Sequence, residues 1–230
     1  IYGGSKMRQN NQKTQYNECL MCLEPLLKDV SFLHILKNYP LCLNCLQQFE
    51  IIDTIIPFHH YPLRILYYYN AFFQKLLFQY KGLYDYALKD AFLFLYHDEL
   101  VKKYAQYIII VTPSSLEDNQ KRGFSPMEEI AKTFHTKIYT GLYKKEKYKQ
   151  SDLGYEQRKR VIDKIGIHNG EELKGQKVLI IDDVITSGST LKAIVTLVLK
   201  YEPAKVELLV LSTKRTISEL KLDGEGNLSF

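Results

Sequence analysis

Two groups of residues in this chain have side chains and spacings suited to chemistry. The first lies in Val178–Thr190, VLIIDDVITSGST, where an apolar run ends in the adjacent carboxylates Asp182 and Asp183. Ionised aspartates only accept hydrogen bonds, so a vicinal diol such as a ribose, with two O–H donors, matches them. Hydroxyls follow on Thr186, Ser187, Ser189 and Thr190, and Gly188 permits positive φ and close approach of an anion. A helix opening at about Ser189 would turn its unpartnered N–H groups and positive dipole end toward a phosphate. Diol beside phosphate describes a ribose 5-phosphate. An N-cap turn with two solvated aspartates is the plainer alternative.

The second group is the four cysteines, Cys19-Leu-Met-Cys22 and Cys42-Leu-Asn-Cys45, with 19 residues between the pairs. Two C-x-x-C turns can present four thiolates to one tetrahedral zinc, and the spacing falls in the zinc-ribbon (zinc-finger) range. Four thiolates leave no open coordination position, so such a zinc is structural. It would fold about 40 residues that cannot bury a core alone. Paired disulfides or a redox C-x-x-C compete with this reading, and an expected cytosolic location argues against them. His34, between the pairs, reads as a surface residue.

The elements that must position these groups can be read from periodicity. Val178–Ile181 is a short, non-alternating apolar run, which reads as a buried parallel strand. Tyr107–Thr112 and Val206–Leu211 read the same way. Leu191, Ile194, Val195 and Val198 line a helix that Pro203 cannot continue. Pro57–Tyr69 suggests a strand or hairpin. Ala71–Tyr80 and Tyr84–Tyr104 read as helices, the second with a buried stripe of Tyr84, Ala87, Leu88, Ala91, Phe92 and Leu95. Ser125, Pro126 and Glu128 predict a capping box opening a helix with a buried face of Met127, Ile130, Ala131 and Phe134. Just before it, Lys121 and Arg122 are either cations for a pyrophosphate or an exposed basic turn. Lys137–Tyr143 predicts a short strand. The order implies an α/β fold, a mainly parallel sheet with helices on both faces.

The 178–190 string resembles the signature of type I phosphoribosyltransferases. The resemblance implies that Asp182 and Asp183 hold the ribose hydroxyls of phosphoribosyl pyrophosphate (PRPP) and that Thr186–Thr190 wraps its 5-phosphate. It also implies that the loop after Tyr107–Thr112, with Ser114, faces the pyrophosphate. A zinc ribbon preceding such a domain resembles the ComF/ComFC competence proteins. Two further segments are similar to theirs: QYKGLYDYALKDAF, which keeps Lys81 and Gly82 of a Lys-Phe-x-Gly-Asp turn, and V-T-P-S…R-G-F-S-P, which lacks their Asn-Gln pair. Residues 144–160 hold seven basic and three acidic residues and occupy the place of the phosphoribosyltransferase flexible loop. Charge runs are usually solvated faces. Here Lys144, Lys145, Lys147, Lys149, Arg158 and Arg160, interleaved with Tyr148 and Tyr155, also suit single-stranded DNA.

Composition narrows the class. The 230 residues, 46% hydrophobic, can build one sizeable core with a small appendage. The expected organisation is a tail at 1–16 (disordered, or partly an expression remnant), a zinc ribbon at 17–55, an α/β domain at 56–215 and a C-terminal tail at 216–230. A net charge of +5 and 18 Tyr with 11 Phe are compatible with nucleic acid but do not demand it. Neither a membrane-length apolar run nor a signal peptide is evident, which predicts a cytoplasmic protein. No GxxxxGK[ST] occurs, so the chain is not itself an ATP-driven motor.

Three functions follow as expectations. The resemblance implies a ComFC-like factor handling single-stranded DNA in natural transformation, beside a ComFA-type helicase. An active phosphoribosyltransferase would use Mg²⁺ with PRPP, with Asp183 a candidate general base. A PRPP-sensing regulator is the third. Residues 212–216, STKRT, offer no aromatic to stack a purine, which favours binding over turnover.

Overall fold

A computed structural model describes residues 16–26, 39–145 and 165–215. Both expected tails (beyond Tyr16), His34, Lys147, Lys149, Arg158 and Arg160 lie outside these residues.

The centre is a six-stranded sheet. It contains β1 (Ile51–Phe58), β2 (Tyr61–Tyr68), β3 (Tyr107–Val111), β4 (Ile138–Tyr139), β7 (Lys177–Ile185) and β8 (Lys205–Thr213), in the order β1-β2-β8-β7-β3-β4. Every neighbouring pair is parallel except the hairpin β1–β2. That hairpin spans both sides of residue 55 and joins the main sheet directly.

Strand alternation divides the core into two layers. Val178 and Ile180 face one layer with Ile108, Ile110, Leu208 and Val210, covered by the helix Ser189–Leu199. Leu179 and Ile181 face the other with Ile109, Leu209 and Leu211, covered by the helices Ala71–Gly82 and Pro126–Lys132. Helices therefore lie on both faces.

The cysteine segment belongs to the second layer. Cys19, Cys42 and Cys45 are buried in it with Phe49, whose ring contacts Tyr67, Phe72 and Phe73. The described part of the cysteine segment shares its core with the sheet.

Four local expectations need correction. The strand expected at Val178–Ile181 runs on to Ile185, because β8 supplies ladder partners for Asp182, Val184 and Ile185 in Val210, Ser212 and Thr213. The single helix expected over Tyr84–Tyr104 is broken into 3₁₀ turns at Tyr86–Leu88 and Phe94–Tyr96 and short helices at Lys89–Phe92 and His97–Tyr104. Tyr84 at φ 64° and Leu93 at φ −110° leave the helical region, so Leu88, Ala91 and Phe92 are buried while Tyr84 and Leu95 are exposed. The strand expected at Lys137–Tyr143 is two: β4 in the main sheet, and β5 (Leu142–Lys144), paired antiparallel with β6 (Ile165–Ile167). Gly141 separates them, where a Cβ would come within 2.3 Å of the His168 carbonyl and the Tyr139 hydroxyl. Finally, Ser125 and Pro126 do open a helix, but the Ser125 side chain makes no cap bond and Glu128 pairs with Lys132 instead.

A helix unforeseen from the sequence, Leu116–Arg122, precedes that one. Ser115 Oγ accepts from the Asp118 N–H at 3.1 Å, and Gly123 closes the helix at φ 79°. Lys121 and Arg122 thus occupy a last helical turn, where cations meet the negative end of the dipole.

Candidate functional site

The site opens beyond the carboxyl ends of β3 and β7, where ligands of open parallel sheets bind. It consists of two cavities that share Asp182, Val184 and Thr190.

The smaller, of about 70 Å³, is the elbow between β7 and the helix Ser189–Leu199, lined by Thr186, Ser187, Gly188, Ser189 and Thr190. Gly188 sits at φ 68°, in the left-handed region that a side chain disfavours, and it caps the helix without a side-chain bond. Ser187 Oγ and Ser189 Oγ lie 2.8 Å apart, with the Ser189 N–H directed at Ser187 Oγ from 3.4 Å. Among the described residues the N–H groups of Ser187, Gly188, Thr190 and Leu191 have no protein acceptor. Hydroxyls and bare amides around a helix N-terminus form a receptor for an anion.

The larger cavity, about 330 Å³, is walled by the acids and by three cations, Lys81, Arg122 and Lys144. Ser114 and Ser115 from the loop after β3 complete one side, with Asp118. Asp182 Oδ1 accepts from the Thr112 hydroxyl at 2.6 Å and from the Asp183 N–H at 2.9 Å. Burial raises its pKa to about 6, against the Thr112 hydrogen bond and the charges of Lys81 and Lys144. Asp183 Oδ1 accepts from the Val184 N–H at 2.8 Å, and its Oδ2 is ion-paired with Lys81. Burial also holds the Lys81 ammonium down, to about 8; Asp182 opposes this and Arg122 and Lys144 reinforce it. The ion pair with Asp183 favours the charged form. The Arg122 Nε–H donates to the Lys81 carbonyl at 2.8 Å, tying the two cationic elements together.

Of the residues singled out from sequence, Asp182, Asp183, Thr186–Thr190, Ser114 and Arg122 converge here. Lys121 does not: it is exposed and pairs with Glu117 at 2.7 Å. Lys144, grouped with the nucleic-acid candidates, lines the larger cavity, and Lys145 beside it is exposed. Lys81 and Thr112 were not foreseen in the site. Lys81 carried only a resemblance in a helix-ending Lys-Gly, which by itself is a common last-turn cation.

The end of β8 also differs from expectation. The Tyr69 N–H donates to the Thr213 carbonyl at 2.7 Å, and Lys214 Nζ lies 4.6 Å from the Tyr69 ring centroid. An aromatic ring therefore stands beside the STKRT segment, supplied by the residue after β2.

The four cysteines form a second centre. All are free thiols, with their sulfurs within 4.8 Å of one another. Cys22 Sγ and Cys42 Sγ are 3.6 Å apart, close to the edge of about 3.8 Å expected for a tetrahedron with Zn–S bonds of about 2.3 Å. Cys19–Cys22 is a turn closed by the Leu23 N–H on the Cys19 carbonyl, and Cys42 precedes the short helix Leu43–Leu46 that carries Cys45. The donor set fits a structural zinc.

Residues 120–224 match the family described as the phosphoribosyl transferase domain. No curated protein matches the chain. Among solved structures, the chain is similar to a purine phosphoribosyltransferase from Pyrococcus horikoshii Ot3, at 22% identity over 54% of this chain and 73% of that one, with a TM-score of 0.36. It is similar also to a hypoxanthine phosphoribosyltransferase from Staphylococcus aureus, at 18% identity over 56% and 67%, with a TM-score of 0.35. The family match takes in the helix Pro126–Lys132, β7, the elbow and β8, and the α/β fold is phosphoribosyltransferase-like.

Proposed function

We propose that this protein binds PRPP at the paired cavities and acts as a ComFC-like competence factor that handles single-stranded DNA beside a ComFA-type helicase. One observation carries the ligand assignment: an amide-lined elbow and a cation-walled cavity meet at Asp182, with Asp183 beside it in the larger cavity. That arrangement supports a sugar bearing an anion at each end. The 5-phosphate takes the bare N–H groups of Ser187, Gly188, Thr190 and Leu191. The ribose hydroxyls donate to the acids, with the outward oxygen of Asp182 the readier acceptor. The pyrophosphate meets Lys81, Arg122, Lys144 and the Ser114–Ser115 loop. Mg²⁺ would be held between Asp182, Asp183 and the ligand, where it would offset the negative charge that gathers there. The competence role is supported by the order of a four-cysteine ribbon and a phosphoribosyltransferase-like domain, and by the basic run that starts at Lys144. A cytoplasmic location goes with it.

Phosphoribosyl transfer is the second reading. Tyr69 with Lys214 favours it, because an aromatic face and a cation at the end of β8 supply what the STKRT segment alone lacks. Asp183 would then be the candidate base. Incubation with PRPP, Mg²⁺ and a panel of free bases separates the two. PRPP binding without pyrophosphate release is expected for the competence factor. Base-dependent release would overturn it in favour of transfer.

A further inference from the structure

We infer that Lys81 is a specificity-determining residue: it occupies Asp183 until a ligand brings an anion to take over its charge, so the site selects a ribose carrying pyrophosphate over one without it. The inference rests on the ribose-phosphate reading of the site.

The two acids are not equivalent. Asp182 has both its protein bonds on Oδ1, from Thr112 and the Asp183 N–H, which leaves Oδ2 for a ligand. Asp183 has a protein partner on each oxygen, the Val184 N–H on Oδ1 and the Lys81 ammonium on Oδ2. A sugar hydroxyl that takes the ammonium's place on Oδ2 displaces Lys81. A neutral diol that did so would leave a largely enclosed ammonium beside Arg122 and Lys144 with no counterion, an arrangement that is strongly unfavourable. A ligand with an additional anion in the larger cavity removes that penalty, since the ammonium moves from carboxylate to phosphate while the hydroxyl replaces it on Asp183.

The surroundings favour this exchange. Lys81 stands in the last turn of the helix Ala71–Gly82, and its carbonyl is held by Arg122. The backbone is thus fixed while the four-carbon side chain can swing between acceptors. Arg122 has its Nε committed to that carbonyl, so the lysine is the more movable cation.

Calorimetric titration of the full chain with PRPP and with ribose 5-phosphate, both with Mg²⁺, tests this. In Lys81→Met the ratio of PRPP to ribose 5-phosphate affinity should fall about ten- to a hundredfold, the value of one charge-assisted contact. Lys81→Arg, which keeps the charge, should retain most of the ratio. Thermal unfolding verifies that each variant is folded, and Lys81→Gln replaces Lys81→Met should the latter not fold. A ratio within about twofold of wild type in the folded uncharged variant overturns the inference and leaves the ribose-phosphate site standing. Wild-type protein that binds neither ligand overturns both.

Discussion

Asp182 is subject to opposed demands. Enclosure at the end of β7 disfavours its charge, whereas a sugar hydroxyl needs that charge as an acceptor. Its pKa in the fold, about 6, stands above the reference value of 3.8. The folded state therefore holds the proton more tightly than the unfolded chain, and the cost of ionised Asp182 appears as pH rises through that interval. Two outcomes follow in opposite directions. PRPP affinity should fall as pH drops through about 6, measured by titration across pH 5–8. Asp182→Asn should raise stability at neutral pH by roughly 1–3 kcal/mol while PRPP binding is lost, read by urea denaturation and calorimetry. An unchanged or lowered stability would refute the claim that this carboxylate is held at a cost to the fold.

At the scale of elements, the ribbon and the sheet are one packing unit. Phe49 joins them through its contacts with Tyr67, Phe72 and Phe73. Stripping zinc, or Cys45→Ser at a buried ligand position, should lower the unfolding temperature of the whole chain in one transition. A second transition that stays at the original temperature would contradict the shared core. Phe49→Ala should cost roughly 3–5 kcal/mol without removing a metal ligand, which separates packing from coordination. Metal analysis should give one zinc per chain.

Legibility differed among elements for identifiable reasons. β3, β7 and β8 are apolar runs buried on both faces, and such runs declare themselves. The helix Leu116–Arg122 did not, being short with no buried residue. Its signals were present, though: Ser115 three residues before Asp118, and Gly123 after the last turn. The break at Leu93 was invisible to periodicity, because Leu88, Phe92, Tyr96 and Leu100 keep a helical spacing across it.

For the molecule as a whole, the candidate site was half legible. The acids and the elbow lie in one continuous string, so their spacing announces the chemistry. Lys81 and Thr112 come from two other elements, and Tyr69 reaches the end of β8 only because β2 is its sheet neighbour. No local pattern encodes those meetings. The cations gathered here, with the basic run beyond Lys144, also bear on the proposed DNA role. Binding of a short single-stranded oligonucleotide should weaken steeply with salt, since phosphate contacts release counterions. A flat salt response, or no binding at low salt, would remove that role and leave the PRPP site untouched.

The measurement that bears most directly on the account is a calorimetric titration of PRPP with Mg²⁺ into wild-type protein and into the folded double variant Asp182→Ala, Asp183→Ala. Wild-type protein should bind one PRPP per chain, and the variant should show no detectable binding. Equal affinity in the two proteins would contradict it.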